Sequence, residues 1–351
     1  MDEKQNNVQH VLQTITARAL QETEIPPLHY VVEDILPEGL AMLVAPPKFG
    51  KSWMALDLCL SVAEEKLFLG YPTNKSDVLY LALEDSNRRL KTRQTQLLQA
   101  QEAPNNLHFA IAAETVDGGL LAQIEGFLKE NSSTGLIVID VLARIRSQTT
   151  APKTDTYRLD YKEMTMLKTI ADKYHVCILV IHHTRKMRDE ADVFNDVSGS
   201  TGLTGAADTA FVLVKSKRAD TRATLHIIGR DVEATELVIE FGTDCKWQRI
   251  GTAEDVQKQN EREAFEQHPL VKLIRKMLDD SENGIVQTTA EQLCSSLQEQ
   301  HINCEDCNSA RKIGNFLADE HNIRLFRSIG IEATKRKENE ARLKIFKRIH
   351  P

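Results

Sequence analysis

The sequence predicts an α/β fold in which a mostly parallel, doubly wound sheet with antiparallel edge strands is followed by a small α+β domain. Three observations support this prediction. A phosphate-binding turn joins a buried strand to a helix, further apolar strands alternate with helices, and ionisable residues stand where those strands end. Continuous apolar runs are typical of parallel strands covered on both faces, and strand–helix alternation favours right-handed crossovers. With 351 residues, 41% of them hydrophobic, the chain can bury a substantial core.

The phosphate-binding turn is predicted between residues 45 and 52. The pattern G-x-x-x-x-G-K-S/T matches at Gly50, Lys51 and Ser52, whereas Ala45 stands at the first glycine position. The lysine would reach the β- and γ-phosphates, the serine would hold Mg²⁺, and the helix N-terminus would add N–H donors. An accidental G-K-S turn is the alternative, but the apolar strand before it and the helical spacing after it favour phosphate binding. The predicted nucleotide-binding residues are Ala45, Pro46, Pro47, Lys48, Phe49, Gly50, Lys51, Ser52 and Trp53.

Apolar runs place the strands of the predicted sheet. Buried strands are expected at 40–44, 77–83, 107–112, 135–140 and 176–181, with helices at 87–101 and 120–129. Four of these strands bring polar residues to their carboxyl ends, where open α/β sheets bind ligands. After residue 208 the runs become shorter and predict antiparallel strands at the sheet edge. These are expected at 210–215, 221–229, 236–241 and 247–250.

Carboxylates follow two of the predicted strands. Asp140 comes after four apolar residues, as a Walker B aspartate does, and would orient Mg²⁺ through its water shell; taken alone, it could equally cap the strand. Glu84 ends the strand at 77–83 and is predicted to orient and deprotonate the water that attacks ATP. The neighbouring Asp85 is interpreted as the N-cap of the next helix or as a supporting carboxylate.

A histidine and an arginine complete the predicted catalytic set. His183, in preference to His182, would hydrogen-bond the γ-phosphate, although a histidine at a strand end can also be purely structural. Arg230 would act as an arginine finger, a group that a neighbouring subunit can supply in trans. Its alternative role is a salt bridge to Asp231 or Glu233.

Six sequence blocks in order carry a family resemblance: APPKFGKSW, YLALEDSNRRLKTR, LIVIDVLARIR, ILVIHHTRK, GSTGLTGAADTAFVLVK and LHIIGRDVEATELVIEF. Together they resemble the RecA-like ATPases of the RepA-type replicative helicases, relatives of the DnaB-type hexameric helicases, over about residues 25–250. Ala45 departs from the family pattern. The resemblance implies ATP and Mg²⁺ binding by Lys51 and Ser52, Glu84 as base, Asp140 as Walker B aspartate, His183 as sensor and Arg230 as finger in trans.

The resemblance also implies a six-membered ring with ATP between subunits and single-stranded DNA in a central channel. The loops at 144–156 and 185–204 are the candidates for DNA contact. Because the second loop also carries four acidic residues, a solvated mixed-charge loop is the alternative. The candidate phosphate contacts are Arg144, Arg146, Lys153, Arg185, Lys186 and Arg188.

The chain beyond residue 250 is predicted to form a separate domain. The predicted parts are an arm at 1–24, the ATPase domain at 25–250, a charged linker helix at 251–267 and a winged-helix-like domain at 268–351. The last part is expected to contain helices at 270–278, 289–298 and 309–318 and strands at 284–287, 323–328 and 343–349. From Arg311 to Arg348 there are 11 Lys or Arg against 5 Asp or Glu. This excess suggests duplex DNA binding, with a protein-contacting domain as the alternative.

Charge and cysteine content bound the remaining possibilities. A net charge of −7 argues against a wholly basic nucleic-acid binder. With no signal peptide and no apolar run of membrane length, we expect no membrane association and a reducing cytoplasm in which the six cysteines are thiols. Cys304 and Cys307, with Cys294 and His301 nearby, lack a second close ligand pair, so the spacing does not predict zinc.

The function predicted from the sequence is that of an ATP-hydrolysing DNA helicase or translocase in the replication of a phage, plasmid or integrated element. One alternative is an ATP-dependent DNA-binding regulator or loader that does not unwind DNA. Another is a signalling NTPase that does not act on DNA. DNA-stimulated hydrolysis separates the last from the others, and strand displacement separates the first two.

Overall fold

The computed structural model describes residues 12, 14–147, 156–184, 193–196, 201–302, 304–338 and 341–349. The chain divides into two compact units. One comprises the chain up to Thr235 together with Phe241–Gln248, and the other comprises Glu236–Glu240 and the chain from Arg249 onward. Each unit has its own hydrophobic core. Near the N-terminus, α1 (Ala17–Glu22) is capped by Thr16 and buries none of its residues.

The first unit is built on a mostly parallel sheet. Its strands are β3 (Gly39–Val44), β4 (Asp77–Ala82), β5 (Leu107–Ala110), β6 (Thr134–Asp140), β7 (Cys177–His182), β8 (Thr209–Val214) and β9 (Arg222–Gly229), which follow a short antiparallel pair, β1 (Tyr30–Val32) and β2 (Leu36–Pro37). Across the sheet the order is β9-β8-β3-β7-β6-β4-β5. The strand before the phosphate-binding turn, β3, therefore lies in the middle of the sheet. Two later strands, β10 (Thr235–Phe241) and β11 (Trp247–Thr252), contain residues of both units.

The structure corrects one predicted strand direction. The prediction made β8 antiparallel, but β8 pairs with β3 in parallel, and only at β9 does the direction reverse. Parallel neighbours need a long crossover, and the chain from residue 183 to 208 between β7 and β8 provides one. A much shorter connection joins β8 to β9, which is sufficient for an antiparallel pair.

Helices connect the parallel strands. They are α2 (Lys51–Glu64), α3 (Asn87–Leu98), α4 (Leu121–Glu130), α5 (Thr156–Tyr174) and α6 (Thr201–Ala206). The first of them, α2, starts directly at the phosphate-binding turn and is buried along most of its length. Side chains of α4 and α5, including Ile124, Met164 and Leu167, pack with the apolar residues of β3, β4, β6 and β7. This packing fixes the strand ends that carry the polar residues.

The second unit contains five helices and a three-stranded antiparallel sheet among its described residues. They are α7 (Ala253–Gln267), α8 (Pro269–Asp279), β12 (Ile285–Thr288), α9 (Ala290–Glu299), α10 (Ala310–Phe316), α11 (Glu320–Ser328), β13 (Ile331–Glu338) and β14 (Ala341–Arg348). The sheet order is β12-β14-β13. A capping box between Thr252 and Asp255 starts α7.

The strand predicted at 323–328 is wrong, because this segment is the helix α11. The Asp319 side chain accepts a hydrogen bond from the Asn322 N–H at 3.0 Å and so caps the helix. The fully buried Phe326 then packs edge-on against Phe265, with ring centroids 4.9 Å apart. A short apolar run cannot distinguish a strand from a helix by itself, and here the cap and the tertiary contact decide.

The expectation of thiols throughout is corrected at one pair of cysteines. Cys304 and Cys307 form a disulfide, because the turn at Glu305–Cys307 brings their Cα atoms to 5.2 Å. Cys59, Cys177, Cys245 and Cys294 are free thiols. Among the described helices, none is both long enough and apolar enough to cross a bilayer.

Candidate nucleotide-binding site

The phosphate-binding turn lies between the end of β3 and the start of α2. Gly50, the N-cap of α2, has a left-handed backbone with φ of 94°. A side chain there would be strained and would also meet the Trp247 ring at about 3.1 Å. The Trp247 indole N–H, in turn, donates to the Gly50 carbonyl at 3.4 Å. Both the backbone conformation and the indole therefore require glycine at this position.

Lys51 is the first residue of α2, and its side chain is buried. Its Nζ donates to the carbonyls of Ala45 at 2.6 Å and Pro46 at 3.0 Å, and lies 3.1 Å from Nδ1 of His183. Burial lowers the Lys51 pKa to about 8, against the opposing charges of Asp140 and Glu84. Ala45, the position that departs from the glycine pattern, thus contributes its carbonyl to the lysine.

Asp140 ends β6 and is buried. The Tyr80 hydroxyl donates to its Oδ2 at 2.9 Å, and Ser52 also hydrogen-bonds the carboxyl group. Burial raises the Asp140 pKa, while the hydrogen bonds from Ser52 and Tyr80 lower it. A carboxylate beside a serine hydroxyl provides the oxygen donors that Mg²⁺ prefers, so these residues fit a magnesium ion.

Tyr80 was missed in the sequence, where it is one apolar position within a buried strand. Its role depends on strand pairing, because β4 and β6 are neighbours and Tyr80 lies opposite Val138, two residues before Asp140. An aromatic hydroxyl within an otherwise apolar run is the only signal that the sequence offers. A buried tyrosine hydroxyl needs a partner, and the next strand supplies one.

Glu84 follows β4, is exposed and faces the same cavity as Lys51 and Asp140. Asp85 does not cap α3. Its carboxylate instead pairs with Arg89 at 2.9 Å and Arg93 at 2.5 Å. The N-cap is Ser86, whose hydroxyl accepts from the Arg89 N–H at 3.3 Å. The prediction of Asp85 as N-cap is therefore wrong by one residue.

The two histidines after β7 have different environments. His182 is buried at the end of the strand, while His183 is half-buried and lines the cavity. Burial and the nearby Lys51 charge lower the His183 pKa. The imidazole is therefore neutral at neutral pH, and its Nδ1 can accept from the Lys51 ammonium.

A cavity of about 660 Å³ joins the predicted phosphate end to an aromatic end. At the aromatic end, Phe241 packs edge-on against Trp53 and Trp247, with ring centroids 6.4 and 5.1 Å away. The Arg93 guanidinium lies 5.5 Å from the Trp53 ring, and Lys215 Nζ lies 5.0 Å from the Trp247 ring. Sequence analysis missed Arg93, Lys215, Phe241 and Trp247, since only folding brings them beside the turn. The other lining residues are Pro47, Lys48, Phe49, Gly50, Lys51, Ser52, Glu84, Arg89, Asp140, Val141 and His183.

Arg230 lies away from this cavity. It follows β9, and its guanidinium pairs with Asp208 at 3.2 Å and donates to the Gly205 carbonyl at 3.3 Å. The salt-bridge partner is therefore Asp208, not the Asp231 or Glu233 considered from the sequence. Arg230 lines a separate cavity of about 410 Å³ and is more than half exposed.

The predicted DNA-contacting residues are only partly described. Arg144 donates from Nε to the Leu83 carbonyl at 3.1 Å. Arg146 pairs with Asp160 and, at 3.2 Å, with Glu163. Arg146 is thus held by carboxylates of its own chain, which disfavours a phosphate contact. Outside the described residues lie Lys153, Arg185, Lys186 and Arg188.

Comparisons with known proteins agree with this geometry. A family model described as AAA domain matches residues 6–189. A search of curated proteins finds no match. The solved ATPase domain of a DnaB-like helicase is similar with a TM-score of 0.50 and 13% sequence identity, over 61% of this chain and 85% of that chain. A KaiC-like protein from the hyperthermophilic archaeon Pyrococcus horikoshii OT3 is similar with a TM-score of 0.45 and 16% identity, over 63% and 94%. The first similarity agrees with a RecA-like P-loop NTPase fold.

Proposed function

Because the chain belongs to the AAA domain family, whose model matches more than half of it, we propose that it is an ATP-hydrolysing DNA helicase or translocase of the RepA type. We propose that it acts in replication of a phage, plasmid or integrated element. The observation that carries the ATPase part is the convergence of Lys51, Glu84, Asp140 and His183 on one cavity at the carboxyl ends of parallel strands.

Each residue has a role that follows from its position. Ser52 and Asp140 would hold Mg²⁺, which neutralises charge on the phosphate oxygens. Lys51 would move from the loop carbonyls to the β- and γ-phosphates. Glu84, exposed at the cavity, would orient the attacking water and accept its proton. His183, neutral beside Lys51, would hydrogen-bond the γ-phosphate.

The oligomeric part of the proposal rests on Arg230. Within its own chain Arg230 lies outside the cavity that holds Lys51. An arginine that completes the site must then come from a neighbouring copy, as in a ring with ATP between subunits. We propose a homo-oligomer, hexameric by the family resemblance, with single-stranded DNA bound by loops that face its centre.

ATP hydrolysis with and without single-stranded DNA, followed by strand displacement, tests the proposal. Glu84→Gln should keep nucleotide binding and lower turnover by about 10²-fold or more. Glu130→Gln, an exposed change at the end of α4, is the matched control and should leave turnover unchanged. Normal turnover in Glu84→Gln would refute the base assignment.

A second candidate, an ATP-dependent DNA-binding regulator or loader, is supported by a basic groove in the second unit. The groove encloses about 1180 Å³ between α10 and the β13–β14 hairpin, and we call it the basic groove. Burial, with repulsion from Lys335 and Arg342, lowers the Lys344 pKa, as expected where cations crowd without an anion. DNA-stimulated hydrolysis without strand displacement would favour this candidate, whereas hydrolysis indifferent to DNA would favour a signalling NTPase. The charged residues of the groove are Glu291, Arg311, Lys335, Arg336, Arg342 and Lys344.

A further inference from the structure

Three side chains of the second unit bring soft donor atoms together. The ring nitrogens of His268 and the sulfurs of Cys304 and Cys307 offer ligand atoms within 4.8 Å of one another. His268 Nε2 lies 4.0 Å from Cys304 Sγ. Both cysteines are buried, and the histidine is half-buried. The sequence separates His268 from Cys304 by 36 positions, so only the fold supplies this third donor.

We propose that His268, Cys304 and Cys307 form a binding site for a thiophilic divalent metal ion when the cysteines are reduced, and that Zn²⁺ is the ion that fits. Zinc–sulfur bonds of about 2.3 Å and zinc–nitrogen bonds of about 2.0 Å at tetrahedral angles place the donors roughly 3.5–3.8 Å apart. The nitrogen and the nearer sulfur are already close to that separation. The Cα atoms of the cysteines, 5.2 Å apart, leave room for their sulfurs to reach it by side-chain rotation.

Metal binding requires a defined change in protonation and redox state. A phosphine and water convert the disulfide into two thiols and a phosphine oxide, and the metal then displaces the two thiol protons. Because three described donors form the cluster, the fourth position of a tetrahedral ion falls to water.

The His268 ring is already held in place for ligation. It stacks on Phe316, with centroids 4.5 Å apart and planes 20° from parallel. Its Nδ1 also accepts from the Leu270 N–H at 3.3 Å and thereby caps α8. Ligation through Nε2 moves the ring proton to Nδ1, so this long cap bond is exchanged for the metal–nitrogen bond. The metal would connect the start of α8 to the turn before α10.

Cobalt titration of the full-length protein, reduced with a phosphine and freed of metal by a chelator, tests the site. We expect saturation at one Co²⁺ per chain with thiolate-to-cobalt charge-transfer bands, and displacement of Co²⁺ by Zn²⁺. His268→Asn keeps a residue that caps helices well but lacks the imidazole, and it should weaken cobalt affinity at least about tenfold. The Leu270 amide resonance should shift on metal binding in the wild-type protein.

Cysteine variants complete the test. Cys304→Ser with Cys307→Ser should abolish the charge-transfer bands, whereas Cys294→Ser, which changes a buried cysteine of the same unit outside the cluster, should keep them. Absence of thiolate-to-cobalt bands in the reduced wild-type protein would overturn the proposal and leave a structural disulfide. Wild-type affinity in His268→Asn would also overturn it, because the site would then not be the one proposed.

Discussion

The Tyr80 hydroxyl donates a 2.9 Å hydrogen bond to Asp140 across two neighbouring parallel strands, and both side chains are buried. Burial favours the neutral form of Asp140, whereas this bond and the one from Ser52 favour the carboxylate. The charge that would attract Mg²⁺ therefore depends on a residue that need not touch the metal.

Tyr80→Phe removes that support. We expect the Asp140 pKa to rise further, so Mg²⁺-nucleotide affinity should fall more at pH 6 than at pH 8. The buried carboxyl also loses a partner, which should lower the free energy of unfolding by about 1–3 kcal/mol. Titrations at the two pH values and chemical denaturation measure these effects, with the exposed Tyr161→Phe as control. Equal losses of affinity at both pH values would contradict the link to Asp140.

Lys51 gives the site a second pH dependence. Its folded pKa of about 8 lies below its ordinary value of 10.5, so the unfolded chain carries more protons between these values. The free energy of unfolding should thus rise with pH across that window, by up to about 3 kcal/mol. Bound phosphates favour the charged lysine, so nucleotide binding near pH 8.5 should take up protons, as calorimetry in buffers of different ionisation enthalpy would detect. Lys51→Arg stays charged and should abolish the uptake; uptake that persists would assign it to another group.

The tryptophans offer a direct measure of binding. The chain has two, Trp53 and Trp247, and both line the cavity that contains Lys51. Mg²⁺-nucleotide should therefore change the intrinsic fluorescence. Trp53 is the less buried of the two, so Trp53→Phe should remove more of the change than Trp247→Phe. A saturating nucleotide concentration that leaves the emission of the wild-type protein unaltered would argue against this cavity as the binding site.

Arg230 can be tested by mixing variants. Arg230→Ala and Lys51→Ala should each abolish turnover in the assembled protein. Mixed assemblies contain interfaces that pair an intact Lys51 from one chain with an intact Arg230 from the next, so mixing should restore part of the activity. Asp208→Asn serves as the control for the intrachain pair, because it breaks the 3.2 Å contact and leaves the arginine in place. No recovery on mixing would return Arg230 to a structural role with Asp208.

The basic groove predicts salt-dependent duplex binding. Lys335→Glu with Lys344→Glu should lower affinity for duplex DNA about tenfold or more and reduce the slope of log affinity against log salt by about 2. ATP hydrolysis without DNA should be unaffected, since neither residue lines the nucleotide cavity. Lys272→Glu reverses an exposed charge of the same unit outside the groove. Equal effects of both charge reversals would point to net charge, not to the groove.

Local patterns in the sequence predicted much of the fold, and long-range contacts account for what they missed. Apolar runs located the strands that end near Glu84, Asp140 and His183, because a buried parallel strand has a distinct composition. The direction of β8 and the helix at 320–328 depended on the crossover and on packing around Phe326. Tyr80 and His268 became visible only when a neighbouring strand or turn placed a carboxylate or thiol beside them.

The indole of Trp247 gives the phosphate-binding turn a dependence on the order of synthesis. Its hydrogen bond to Gly50 spans 197 positions, so ribosomes release the first partner long before the second. A fragment that stopped at residue 189, where the family match ends, would contain the complete G-K-S sequence without this contact. Newly made chains should consequently acquire nucleotide affinity late in translation, once β11 has emerged.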